Sequence, residues 1–137
     1  MALTPRAMLS DNHIDEEPPP VVEAFVYQKN IPVTPITLRT TGIGNGYCVD
    51  LVKYYRDIPW NGDAKYYYEQ AIFHNFKVGS EPKVNAIFVK TSGQYGHVAF
   101  VTEVLKESFI VTEQNVLGRW IISERHIPIK NNQLFIY

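Results

Sequence analysis

The sequence predicts an α+β domain in which two helices pack on an antiparallel sheet. Three observations carry this reading. Within residues 48–56, Val49, Val52 and the pair Leu51 and Tyr55 fall at helical spacing. Residues 64–73 form a second helical stretch, with Asp63 in N-cap position. Beyond them the pattern changes to short runs rich in β-formers at 84–89, 97–104, 108–115, 120–122 and 134–137. Helices followed by consecutive strands is the order of an α+β domain, not of an alternating parallel one.

The elements follow in chain order. Residues 1–40 read as an N-terminal extended arm or docking tail, and 41–137 as the folded domain. The run from Asp11 to Pro20 is acidic and then proline-rich, with too few apolar residues for a core. Ala24-Phe25-Val26-Tyr27, with Pro32 and Pro35 after it, reads as an extended segment that lies along the domain or along a partner; the prolines disfavour a central strand. A glycine-rich turn, Gly42-Ile43-Gly44-Asn45-Gly46, opens onto the first helix, which Pro59 ends. Lys106-Glu107-Ser108 links two strands as a tight hairpin. No internal repeat is visible.

Composition narrows the function. At 137 residues the chain is one ordinary domain, large enough to bury a core without disulfide or metal. With 45% hydrophobic and 20% charged residues it has the profile of a globular protein. A net charge of −1 supplies no basic surface for nucleic acid and none for an anionic membrane. No apolar stretch is long enough to span a bilayer. One cysteine excludes an internal disulfide. The first twenty residues lack the basic-then-apolar pattern of a signal peptide, so the expected setting is synthesis in a reducing cytoplasm.

Cys48 sits in the first turn of the predicted helix, directly after the glycine-rich turn. Unsatisfied N–H groups and the helix dipole there favour negative charge and a thiolate. His97 leads a strand after Gly93-Gln94-Tyr95-Gly96, and an imidazole beside a thiol is the standard partner for activating it. Glu113 and Asn115, two apart on a predicted strand, share one face. Either would accept the imidazole Nδ1–H and fix the ring. His74 and His126 lack partners at metal-ligand spacing, and His13 lies in the arm, so no catalytic metal is expected. The glycine-rich turn lacks the Lys-Ser/Thr ending of a phosphate loop, which argues against nucleotide binding.

Four segments in order resemble the CHAP family of cysteine, histidine-dependent amidohydrolases and peptidases. They are Gly44-Asn45-Gly46-Tyr47-Cys48-Val49-Asp50-Leu51-Val52, the stretch VGSEPKVNAI from Val78, Gly96-His97-Val98-Ala99-Phe100-Val101, and Val111-Thr112-Glu113-Gln114-Asn115. The resemblance runs from about Gly44 to Asn115. It implies a papain-like domain that cleaves an amide or peptide bond of bacterial peptidoglycan. It further implies Cys48 as nucleophile, His97 as general base and Glu113 as the residue orienting the imidazole, with Asn115 its neighbour or substitute. Family members usually carry Gln or a similar residue before the cysteine, where this chain has Tyr47. The oxyanion donors are therefore assigned to the Cys48 backbone N–H, with Asn45 as helper. Some members bind calcium through aspartates just upstream of the cysteine; no Asp lies between Thr40 and Tyr47, so no cofactor is expected.

The expected partners are peptidoglycan and, through the N-terminal arm, phage structural proteins. The implied setting is a phage lytic enzyme, free or virion-associated, acting at the bacterial cell wall. Two alternatives stand beside it. One is an inactive CHAP-fold adaptor of a phage particle, which Tyr47 supports. The other is an NlpC-type endopeptidase, whose usual Asp-Cys-Ser differs from Tyr47-Cys48-Val49.

Overall fold

The computed structural model describes residues 35–137. Most of the expected arm, His13 included, lies outside the described residues.

Seven strands form one sheet: β1 (Ile36–Arg39), β2 (Val78–Gly79), β3 (Ile87–Lys90), β4 (His97–Val104), β5 (Ser108–Gln114), β6 (Ile122–Pro128) and β7 (Leu134–Ile136). Their spatial order is β1-β6-β5-β4-β3-β7-β2, and every pairing is antiparallel. Two helices precede most of the strands: α1 (Cys48–Tyr55) and α2 (Tyr67–Phe73), the latter entered through a 3-10 turn at Ala64–Tyr66. The α+β architecture expected from the sequence is the one observed.

Both faces of the sheet are covered, and β4 shows how. Val98 and Phe100 point to the helical side, where they meet Val52, Tyr67 and Ala71; Ala99 and Val101 point to the other, against Phe109, Val111 and Phe135. A strand buried on two sides needs apolar residues at successive positions, which explains the unbroken run Val98-Ala99-Phe100-Val101. On the second face the rings of Phe88, Phe109 and Phe135 meet at centroid distances of 5.2–5.4 Å. Strands β5 and β7 are three positions apart, about 14 Å across a flat sheet. The sheet therefore curls to bring these rings together.

Helix α1 is fixed to β4 by Tyr55 stacked on Phe100 at 4.8 Å. Leu51 and Val52 are fully buried beneath it. Trp60 anchors the segment between the helices, with its ring against Tyr67, His74 and Phe76.

The structure departs from the sequence reading at several boundaries. Ile36–Arg39, placed in the arm by composition, is an edge strand on β6, directly after Pro35. Asp63 makes no side-chain cap hydrogen bond, and the first turn of the second helical stretch is 3-10. Asn85 has φ 75°, so β3 starts at Ile87 and not Val84. Trp120 has φ 77°, so the strand expected at 120–122 begins at Ile122 and runs on to Pro128.

Candidate active site

The nucleophile position is built from the turn that precedes α1. The Asp50 carboxylate Oδ2 accepts hydrogen bonds from the backbone N–H groups of Asn45 (3.0 Å) and Tyr47 (3.1 Å). This satisfies donors at the helix start and folds the turn back on the first turn of α1. Gly44, at φ 60°, has Asp50 so close that a Cβ would fall 2.8 Å from its side chain. Cys48 is the first helical residue and is partly buried.

Gln114 braces the same turn from the sheet. Its side chain is wholly buried. Nε2 donates to the carbonyls of Ile43 (3.1 Å) and Tyr47 (2.8 Å), and Oε1 accepts from the Ile43 N–H (2.8 Å). The end of β5 thus holds the backbone on which Cys48 rides. The sequence reading did not single out Gln114.

Its neighbour Glu113 points to the opposite face and is also wholly buried. Oε1 accepts a hydrogen bond from His97 Nε2 at 2.9 Å. Arg125 on β6 lies on the other side: its Nε is 2.6 Å from Glu113 Oε2, and one terminal nitrogen donates to Oε1 at 3.2 Å. The register explains the meeting. Glu113 pairs with Ser123, which makes Arg125 its diagonal neighbour two residues on. Continuing the β4–β5 pairing of Phe100 with Thr112 sets Glu113 opposite Ala99, which makes His97 the other diagonal neighbour. A buried carboxylate is tolerable only with such partners.

The Cys48 side chain lies close enough to the His97 ring to act on its proton affinity, and both line the same cleft. Because Nε2 is engaged by Glu113, Nδ1 is the ring nitrogen left for the thiol. This corrects the expectation that Nδ1 would face the carboxylate. Burial by itself would lower the His97 pKa, but hydrogen bonds to Cys48 and Glu113, together with their negative charges, push it up to about 9. An imidazole so placed is protonated at neutral pH and holds a proton it can give up in the cleft.

Cys48 and His97 open into a cleft of about 500 Å³, lined also by Tyr47, Val49, Asp63, Tyr95 and Asn115. The loop before β4 is pinned to the second helical stretch, since the Lys65 N–H donates to the Tyr95 carbonyl at 2.9 Å. A second cavity of about 410 Å³, walled by Lys90, Ser92, Arg125 and Lys130 among others, contains neither a cysteine nor a histidine to activate its hydroxyls. The chemistry therefore singles out the first.

Of two further expected site residues, one lines the cleft and the other lies outside its lining. Asn115 lies past the end of β5 with φ 72°, which breaks strand alternation; it is exposed and lines the cleft but does not replace Glu113. Asn45 is exposed and is not among the cleft residues. Its backbone carbonyl accepts from Arg119 Nε at 2.8 Å, which braces the turn. Tyr67, wholly buried, has a hydroxyl without a hydrogen-bond partner. Burial first, then the charges of Cys48 and Asp50, push its pKa up, so it stays neutral. Among the described residues, no group of three or more His, Cys, Asp or Glu side chains is arranged to hold a metal ion.

The model of the CHAP domain family matches residues 39–115. An N-acetylmuramoyl-L-alanine amidase domain-containing protein of Staphylococcus aureus is 40% identical over 73 residues, 48% of this chain and 12% of that protein. A probable autolysin, SsaALP, of the same species is 37% identical over 68 residues, 48% of this chain and 26% of its own length. The crystal structure of an N-acetylmuramoyl-L-alanine amidase from Staphylococcus aureus superposes with a TM-score of 0.60 and 31% identity, covering 67% of this chain and 30% of that one. The chain thus corresponds to less than a third of the length of each.

Proposed function

The chain belongs to the CHAP domain family, and from that premise we propose that it hydrolyses an amide or peptide bond of bacterial peptidoglycan through Cys48. The observation that carries the proposal is the His97 ring held between the Cys48 thiol and the buried Glu113 carboxylate in one open cleft. Relatives named as an amidase domain-containing protein and an autolysin support the substrate class.

In this reading the Cys48 thiolate attacks the carbonyl carbon and forms a tetrahedral oxyanion. The Cys48 backbone N–H, an orphan donor at the helix start, faces the developing charge. The imidazolium of His97 gives its Nδ1 proton to the leaving amine as the C–N bond breaks. The now neutral ring accepts a proton from water, whose hydroxide attacks the thioester and releases the acid and the thiol. Glu113 keeps the ring oriented and stabilises its positive charge throughout.

The setting proposed is the cell wall, as a phage lytic or virion-associated enzyme. The acidic, proline-rich stretch from Asp11 to Pro20 suits docking on an assembly. Detection of the protein in purified phage particles supports the virion form, and its absence from them removes it.

The test of the activity is release of amines or peptides from purified peptidoglycan by the wild-type protein and by Cys48→Ala. Turnover by the first and none by the second, with matching circular dichroism, is the expected result. An active Cys48→Ala protein overturns the cysteine mechanism, and an inert wild type favours the adaptor reading.

A further inference from the structure

Beside the cleft a cation is framed by two aromatic rings, one of which, Tyr47, lines the cleft. The guanidinium carbon of Arg119 lies 4.5 Å from the ring centre of Tyr47 and 5.1 Å from that of Trp120. Its Nε donates to the Asn45 carbonyl at 2.8 Å. Among the described residues no carboxylate pairs with it. Tyr47 and Trp120 remain 45% and 40% exposed, so the group is offered to solvent and not packed away. Tyr47 lines the cleft and is the residue before Cys48.

This arrangement is built against a backbone cost. Trp120 has φ 77°, a strained region that bulky residues rarely adopt. Its N–H donates to the Gly46 carbonyl at 3.2 Å. A Cβ on Gly46 would fall 2.7 Å from Trp120 Cδ2 and 2.9 Å from Arg119 Cγ. The loop between β5 and β6 therefore closes on the nucleophile turn through contacts that only glycine permits.

A guanidinium fixed by stacking and by its Nε loses little freedom on binding. Its terminal nitrogens present a planar fork that matches the two oxygens of a carboxylate. Arg119 is not itself a wall of the cleft; it adjoins it through the ring of Tyr47, which is, and so places a cation next to a cleft whose own charged residues are His97 and Asp63.

We propose that Arg119, framed by Tyr47 and Trp120, is the specificity residue of this cleft and binds a carboxylate of the peptide substrate beside the scissile bond. The inference rests on reading the cleft as a peptidoglycan-hydrolysing site, since stem peptides carry such carboxylates. It predicts preference for an acidic stem over its amidated counterpart.

The test compares a glutamate-containing stem peptide with the same peptide bearing glutamine, in two measurements. Turnover is followed with wild type, Arg119→Gln and Arg119→Lys. Binding is followed by calorimetry in the Cys48→Ala background, with and without Arg119→Gln. The wild type is expected to favour the acid by about tenfold to hundredfold, carried in KM. Arg119→Gln should remove the preference, and Arg119→Lys should keep part of it. Binding to the Cys48→Ala protein should show the same preference and lose it with Arg119→Gln. Equal handling of acid and amide by the native protein, no measurable binding of either, or equal loss for both in Arg119→Gln overturns the inference. Preferential binding of the acid without turnover by the wild type leaves the inference standing and overturns the hydrolytic reading instead. Should Arg119→Gln unfold, the comparison of the two peptides on native and Arg119→Lys protein still decides.

Discussion

His97 Nε2 lies 2.9 Å from Oε1 of Glu113, and that carboxylate has no exposure to solvent. One buried charge is thus shared between an imidazole on β4 and a guanidinium on β6. The sheet itself is the scaffold, since both partners are diagonal neighbours of Glu113. Glu113→Gln keeps the shape but removes the charge. Turnover should fall at least about tenfold, because the ring loses the anion that stabilises its cationic form. Stability should fall by about 1–3 kcal/mol in urea unfolding, because Arg125 keeps its charge without a counterion. Unchanged turnover in Glu113→Gln would remove Glu113 from the site.

The raised pKa of His97 sets a pH window. Its ordinary value is 6.5 and its folded value about 9, held up by Cys48 and Glu113. A group whose pKa is higher in the folded state binds its proton more tightly there. Its contribution to stability is therefore complete below about pH 6.5 and disappears as pH rises through about 9. Turnover should decline over the same alkaline range, as the proton for the leaving amine is lost. Urea midpoints across pH 6 to 10 check the first statement, with His97→Gln expected to flatten the curve. A pH–rate profile checks the second; a rate still rising past pH 10 would contradict it.

Tyr67 offers a control close to the nucleophile. Its hydroxyl is buried without a partner, so Tyr67→Phe removes a desolvated group at no loss of hydrogen bonding. Stability should change by less than about 1 kcal/mol, or rise. Thermal melting checks this. A marked loss of stability would mean that the hydroxyl has a partner.

Much of this site is legible in the sequence because its parts leave local marks. Cys48 follows a glycine-rich turn and opens a helix, and His97 opens an apolar strand whose bounds, His97–Val104, are those observed. Glu113 was legible as a polar residue on a strand beside it. What was not legible arises from pairing across strands. Nothing local to Arg125 marks it, since its role depends on the β5–β6 register. Gln114 reads as an ordinary outward residue in a half-exposed strand, yet both faces of this sheet are covered, so it is buried. Asn115 was misplaced because a single left-handed residue ends the alternation. Strands β1 and β2 are short edge elements with four and two residues, too brief to carry a periodic signal.

Arg125 touches no substrate position and acts through Glu113. Arg125→Met removes a cation from the far side of the carboxylate and leaves that charge to His97 alone. The alkaline limb of the pH–rate profile should then move upward, because one repelling cation is gone and the His97 proton is held more firmly. The rate at neutral pH should fall as the carboxylate loses one of its two anchors. A purely structural role would lower stability without moving the profile, so the pH dependence is the deciding measurement. Arg125→Lys should restore the limb but not the full rate, since a single ammonium cannot reproduce two contacts.

Gln114 provides the most direct link between the sheet and the nucleophile. Three hydrogen bonds join its amide to the backbone of Ile43 and Tyr47, within a segment held also by Asp50, Arg119 and the Trp120 N–H. Gln114→Leu keeps the volume and leaves two carbonyls and one N–H without those partners. A part-buried backbone group left unpaired costs about 1–3 kcal/mol, and the exposed side of the turn lets water recover some of it. The net loss expected in urea unfolding is about 2 kcal/mol. The kinetic effect should exceed what that loss implies, because the Tyr47 carbonyl adjoins the Cys48 peptide and a small shift there moves the sulfur relative to His97. Turnover at a temperature where Gln114→Leu is still fully folded should drop at least about tenfold, mainly in kcat. The rate of Cys48 alkylation by iodoacetamide, measured alongside, should fall with it if the thiol has lost its imidazole. Normal alkylation and normal kcat in a folded Gln114→Leu protein would show that the other braces of the turn, Asp50 among them, position the nucleophile without Gln114.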